Sequence, residues 1–195
     1  AENFKNKIDC PSIHLKFDTG MTRLGFDSQD SKVIFKYLLD NPQLDVQGIY
    51  SHFATADEGD LSYAEYQLRT FNEVLNHGKE SGLKFKYIHC SNSGAILNLP
   101  TSLFNTARVG MLAYGIAPSN EVEMTINIDP VMSFCGPIVN LRKVSANTQV
   151  SYGGVYSTKS ATTIGVIQTG FADGFPRPWY ENGYISYQGE YYNIA

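Results

Sequence analysis

Ile13-His14-Leu15-Lys16-Phe17-Asp18-Thr19-Gly20-Met21-Thr22-Arg23-Leu24-Gly25 is a short apolar strand that runs into a polar, glycine-punctuated turn. The next segment, Ser31 to Asn41, places Val33, Ile34, Tyr37 and Leu38 at helical spacing, and Pro42 stops it. Val46 to Phe53 then reads as a second strand. Ser62-Tyr63-Ala64-Glu65 reads as a capping box opening a long helix with Tyr66, Phe71, Val74 and Leu75, which fades between Gly78 and Gly82. Phe85 to Cys90 is a third strand, Ser93 to Leu99 a short helix, and Ala107 to Tyr114 a fourth strand. Strands alternating with helices imply parallel pairing with crossover helices, hence an α/β sheet or barrel.

The pattern changes after Val131. Val131–Val144, Gln149–Gly153, Thr162–Phe171 and Tyr184–Ile194, the last folded at Gln188-Gly189, read as strands with no helices between them. A boundary is therefore expected between Pro118 and Glu123. Residues 1–120 would form the α/β part and residues 121–195 an all-β part. No internal repeat or low-complexity stretch is present.

Composition excludes several classes. The chain has 195 residues, 43% hydrophobic and 17% charged, which is globular composition. The net charge of -4 and the scattered basic residues give no footprint for nucleic acid or an anionic membrane. The apolar runs are too short to span a bilayer, and no signal peptide is visible. Cys10, Cys90 and Cys135 are odd in number and widely spaced, without a CxxC pair, so neither a disulfide framework nor a metal site is expected. Reduced cysteines in a cytoplasmic protein are the expectation.

The polar residues of the α/β part collect at strand ends. Lys16 and Asp18 end the first strand, His52 the second; His89, Asn92 and Ser93 follow the third, and Arg108 and Gly110 lie on the fourth. Parallel barrels assemble their active sites there. Taken singly, each residue has an ordinary structural reading. Lys16 reads as a solvated lysine, His52 as a hydrogen-bonded core histidine, and Arg108 as half of an ion pair. Asp57 reads as part of an acidic loop, and Tyr152 as a turn aromatic. Backbone donors at Ser93-Gly94 and Gly110-Met111 could hold a phosphate.

Their order resembles the alanine racemase family, fold-type III pyridoxal-phosphate enzymes. The stretches that carry the resemblance are His14 to Gly25, Ser51 to Asp57, His89 to Ser93, Arg108-Val109-Gly110-Met111, Tyr114 to Ser119, Val150-Ser151-Tyr152-Gly153 and Gly170 to Gly174. The resemblance implies the later half of a (β/α)8 barrel followed by the start of an all-β domain. It implies pyridoxal 5'-phosphate as cofactor, alanine as substrate, D-alanine for peptidoglycan as product, and a homodimer that shares its active sites.

The resemblance also implies roles. Arg108 would donate to the cofactor's pyridine nitrogen. A guanidinium donates and never accepts, so that nitrogen stays unprotonated and the ring is a weaker electron sink, which favours reprotonation at the α-carbon. The related decarboxylases carry an acidic residue there. Tyr152 would be one of two bases, its pKa brought down through His52 and Arg108. Arg23 would contact the cofactor's phenolic oxygen or the substrate carboxylate, oriented by Lys16, which some family members carry as a carbamate. Ser93, Gly110 and Met111 would bind phosphate, and Asn92 would support the His52 network. Asp57, Phe171 and Arg177 match positions lining the substrate access path. Phe171 departs from the family's usual Tyr, and Thr22 replaces a common Gly, a change expected to have no effect. Nothing matches the K-A-N-A-Y-G-like motif that carries the cofactor-binding lysine, or the later Met-Asp motif. A piece of a longer enzyme, inactive by itself, is therefore expected. A serine or broad-specificity racemase and a non-catalytic cofactor-binding module are the alternatives.

Overall fold

The computed structural model describes residues 11–195; Cys10 lies outside the described residues. Two compact units divide between Met132 and Ser133.

The first unit is built on four parallel strands. β1 (Ile13–Asp18) lies between β2 (Phe26–Asp27) and β3 (Val46–Tyr50), and β4 (Tyr87–His89) lies outside β3. Two crossover helices connect them, α1 (Ser31–Asp40) and α2 (Ser62–Glu80), and α3 (Ser93–Asn98) follows β4. The core forms where one face of this sheet meets α1 and α2. Leu15, Phe17 and Ile49 point into it from the strands, Phe35 and Leu38 from α1, and Ala64, Leu68, Phe71 and Val74 from α2. Phe17, Phe35 and Phe71 are fully buried, each stabilising by roughly 2–3 kcal/mol relative to exposure. The alternate residues His14 and Lys16 therefore lie on the opposite face of β1, because strand side chains alternate.

Register on that opposite face sets up the site. His14 pairs with Gly48, which pairs with Tyr87; Lys16 pairs with Tyr50, which pairs with His89. Two adjacent rows of side chains thus cross the sheet, and the first has a gap at its centre.

Three local expectations are corrected. Ser62 is the first residue of α2 and not its cap; the carboxylate of Asp60 accepts the Ser62 N–H at 2.9 Å instead, so no capping box forms. Residues 107–114 form no strand. Arg108 N–H bonds Ser91 O, the N–H groups of Gly110 and Leu112 turn to the Ser93 hydroxyl, and Met111–Tyr114 closes as a 3-10 turn ended by left-handed Gly115. A Cβ at Gly115 would lie 2.1 Å from Asp129 O, so the close approach also requires glycine there. Helical turns are also present beyond Val131, at Tyr152–Gly154, Phe171–Asp173 and α4 (Trp179–Asn182).

The segment after Pro118 packs on the first unit. Val122 is buried, the Ser119 hydroxyl donates to Asp57 O, and Glu121 accepts the Gly59 N–H at 2.7 Å.

The second unit is built from antiparallel pairs. β5 (Ile138–Val144) pairs with β8 (Thr162–Ile167), and β6 (Gln149–Val150) pairs with β7 (Tyr156–Ser157). β9 (Tyr184–Tyr187) pairs with β10 (Glu190–Asn193) across Gln188-Gly189, both at positive φ. Among the described residues no helix is long and apolar enough to cross a membrane, and no group of three or more His, Cys, Asp or Glu could hold a metal ion. Cys90 is buried and Cys135 exposed, both as free thiols.

Candidate active site

In a parallel sheet the carbonyls at the C-terminal ends of the strands run out of partners, and a donor must be brought to them. Arg108 supplies it. Its Nη2 donates to Ser51 O at 2.8 Å and Cys90 O at 3.2 Å, and its Nη1 to His89 O at 3.4 Å. Ser51 ties the same ends together: its N–H donates to His89 O, its hydroxyl donates to Phe17 O, and the Thr19 hydroxyl lies 2.7 Å from the Ser51 hydroxyl oxygen.

Two histidines complete the guanidinium's surroundings. Nη1 lies 2.5 Å from His89 Nδ1 and Nη2 lies 3.0 Å from His52 Nδ1. Arginine has no acceptor, so both Nδ1 atoms accept and both rings carry their proton on Nε2. Burial, then Arg108, then His14 hold the His89 pKa down to about 4. Burial, then Arg108, Arg23 and Lys16, lower that of His52. Both rings are neutral at pH 7. Burial also pulls the Arg108 pKa down, opposed by Cys90 and Tyr50, whose ring lies 5.3 Å from the guanidinium carbon. The Nε–H of Arg108 is left without a protein acceptor among the described residues.

Lys16 and Arg23 add positive charge from β1 and its turn. Burial and then Arg23 lower the Lys16 pKa, Asp18 opposes them, and Arg108 adds to the fall. Asp18 organises the turn itself. Its carboxylate accepts the N–H groups of Gly20 at 2.8 Å and Thr22 at 3.1 Å. Burial pushes its pKa up, but the N–H groups of Gly20, Thr22, Arg23 and Met21 together outweigh burial, so the net shift is downward. Tyr63 anchors the turn to α2 by donating to Gly20 O. Thr22 stands at φ +54°, left-handed backbone that a β-branched residue occupies at a cost. This conformation favours glycine, and it speaks against the expectation that threonine here has no effect.

A second feature faces the same strand ends. The buried Ser93 hydroxyl accepts the N–H groups of Gly110 at 3.0 Å and Leu112 at 3.4 Å, so its own proton is free to donate outward. The Met111 N–H, between them, has no protein acceptor among the described residues. A Cβ on Gly110 would meet nothing closer than Ser93 Oγ at 3.7 Å, so open room lies in front of it. These donors fit a phosphate.

The sheet thus brings together Lys16, Arg23, His52, Ser93, Arg108, Gly110 and Met111. Asn92 serves differently: its side-chain oxygen caps α3 by accepting the Ala95 N–H at 3.0 Å, and no bond to His52 is formed among the described residues. Asp57 sits in the loop after β3. Tyr152, Phe171 and Arg177 belong to the second unit and are exposed within it, Tyr152 at 94%. Residue-by-residue reading missed the contributions of Ser51, Tyr50 and His14. His89 stood out at a strand end, but nothing local pointed to its bond with Arg108.

The fold and the site define a parallel α/β unit with a cationic cluster at its strand ends, joined to a unit built mainly of antiparallel strand pairs. The family models "Alanine racemase, N-terminal domain" and "Alanine racemase, C-terminal domain" match residues 5–118 and 131–195. The chain belongs to the alanine racemase family. It is 40% identical to the alanine racemase of Desulforamulus reducens over 182 residues, 92% of this chain and 49% of that protein. It is 38% identical to that of Carboxydothermus hydrogenoformans, covering 93% and 50%. The solved alanine racemase of Clostridium difficile 630 superposes with a TM-score of 0.83 at 32% identity, covering 93% of this chain and 48% of that one. A Bacillus anthracis alanine racemase with bound L-Ala-P superposes with a TM-score of 0.77 at 34% identity, covering 90% and 46%. The chain spans about half the length of the curated relatives it matches. The parallel sheet is part of a (β/α)8 barrel and the second unit part of an all-β domain, as expected.

Two outcomes follow. Thr22→Gly is expected to raise stability by about 1 kcal/mol, the left-handed cost less glycine's extra chain entropy; a urea midpoint that stays or falls contradicts this. Between pH 6.5 and about 4 the unfolded chain binds a proton that folded His89 refuses, so stability is lost as pH falls through that window. His52 contributes in the same direction. Urea midpoints at pH 7 and 5 should differ less in His89→Gln than in the parent chain.

Proposed function

We propose that this chain supplies the cofactor-facing and β-domain parts of a pyridoxal-phosphate-dependent racemase that interconverts L- and D-alanine. The carrying observation is the state of Arg108. Its four Nη protons face protein acceptors, both flanking histidines are neutral acceptors, and only Nε–H remains to meet an outside acceptor. A pyridine nitrogen is such an acceptor, and a permanently charged donor keeps it unprotonated. The Ser93 hydroxyl and the Met111 N–H, with the room left by Gly110, suit the cofactor's phosphate, and Arg23 its phenolic oxygen or the substrate carboxylate.

When bound, the cofactor supplies an electron sink for the electrons of the broken Cα–H bond. The chain's residues handle the rest. Tyr152 of the partner subunit takes or returns the α-proton on one face. His52 presents Nε2–H on the side away from Arg108, where it can hold the tyrosine oxygen and favour its ionised form. The second base is the family's cofactor-binding lysine, which has no match here. Lys16 suits carbamate formation: its lowered pKa increases the neutral amine, whose Nζ adds to CO2 and releases one proton. The resulting anion would orient Arg23. As in the family, the assembled protein would be a homodimer in the cytoplasm, supplying D-alanine to peptidoglycan.

A broader amino-acid range is the second reading, favoured by Phe171, which removes a hydroxyl from the access path. A decarboxylase is disfavoured, because a cation and not an acid occupies the Arg108 position.

The natural protein carrying this sequence should bind pyridoxal phosphate and racemise alanine faster than serine or lysine. Arg108→Glu should lower racemisation by about 10²–10³, the loss typical of one preorganised donor. A colourless protein that cannot take up the cofactor, or CO2 release from any amino acid, overturns the reading. Intact mass of the same preparation under bicarbonate tests Lys16: a gain of one CO2, absent in Lys16→Ala, is expected.

A further inference from the structure

We propose that His14 is a positioning residue for Arg108, acting through His89 across a gap that Gly48 leaves open in the sheet. The inference rests on Arg108 being the site's central donor.

The two side-chain rows on the open face of the sheet carry the argument. The row His14, Gly48, Tyr87 lies one step before the row Lys16, Tyr50, His89. His14 and His89 are thus on different rows and on strands separated by β3. They meet nevertheless, with His14 Nδ1 2.9 Å from His89 Nε2. A side chain at position 48 would prevent this: a Cβ there would lie 2.6 Å from His14 Nδ1 and 2.7 Å from Cε1. Glycine weakens a strand interior, and no positive φ requires it at this position. The volume it leaves is filled by the His14 ring.

The polarity of the chain of bonds is fixed from one end. Arg108 can only donate, so His89 Nδ1 accepts, and the neutral ring carries its proton on Nε2. That proton points at His14 Nδ1, which must accept it. The sequence Arg108 → His89 → His14 therefore runs in one direction only. Removing the last acceptor leaves a buried donor unpaired and removes the preference for this tautomer. In the other tautomer His89 would aim an N–H at the guanidinium and push it away. Ring contacts hold both members in plane: His89 stacks on Tyr50 at 4.9 Å and 13°, and His14 on Tyr87 at 5.4 Å and 23°.

The test reads tautomers directly, by 15N correlation spectra of the histidines and by exchange of the Arg108 guanidinium protons in the 195-residue chain. The parent chain should show His89 as a single Nε2–H tautomer. His14→Leu should mix the tautomers and speed Arg108 exchange about tenfold, the worth of one buried hydrogen bond. His14→Asn, whose side-chain oxygen can take the place of Nδ1, should restore both. Gly48→Ala should reproduce the His14→Leu result without altering any polar group. Loss of tautomer purity in His14→Leu and Gly48→Ala with rescue in His14→Asn supports the proposal. An unchanged His89 tautomer in His14→Leu overturns it, as does failure of His14→Asn to rescue while its urea midpoint equals that of the parent. Neither readout needs cofactor or turnover, so a failure of the racemase reading leaves this result intact.

Discussion

A parallel sheet ends in a row of carbonyl groups that no neighbouring strand can satisfy. Here one guanidinium closes that row. Arg108 reaches the carbonyls of Ser51, His89 and Cys90, and so joins the ends of β3 and β4 to a segment that is not itself a strand. Ser51 extends the closure to β1 through Phe17 O. A lysine could not replace it: three donors on a compact head cannot reach three carbonyls and two imidazoles at once. The same planar fork that finishes the fold leaves its Nε–H without a protein acceptor among the described residues.

The surroundings of that fork are cationic without being balanced by acid. Lys16 feels both Arg23 and Arg108, and Asp18, the carboxylate that opposes them at Lys16, is engaged by backbone N–H groups of its own turn. Both flanking histidines respond by staying neutral. A cluster of cations arranged this way suits an anion better than a neutral group. Neutral histidines are also what allows Arg108 to approach them, because a protonated ring would present N–H against N–H.

How much of this was legible in the sequence depended on the range of the forces involved. Elements set by local signals were readable. Pro42 marks the end of α1 within two residues, the hairpin turns at Gln188-Gly189, and the chain passes from parallel to antiparallel pairing where the helical periodicity ends. Elements set by distant partners were not. Residues 107–114 carry the composition of a strand, yet the Ser93 hydroxyl captures two of their N–H groups and bends them away. Ser62 carries the signature of a cap, yet it lies inside the helix, where Asp60 accepts its N–H and Leu61 O accepts that of Glu65. The site divides in the same way. Lys16, His52 and Arg108 stood out because polar residues at strand ends are conspicuous. His14 and Gly48 carry no local sign of a role. Their meaning comes from a contact between residues 14 and 89 that only register creates.

Cys90 shows how two opposing influences on one atom are resolved. A thiol near a permanent cation is ordinarily the reactive one, because the cation favours the thiolate. Here burial outweighs Arg108 and raises the Cys90 pKa to about 12, and the sulfur leans toward Ser102 O inside the core. Cys135 is exposed in the second unit. Electrophilic labels therefore discriminate between the two by solvent access and not by proximity to charge. A fluorophore placed on Cys135 reports from the β unit while the arginine centre keeps its native chemistry.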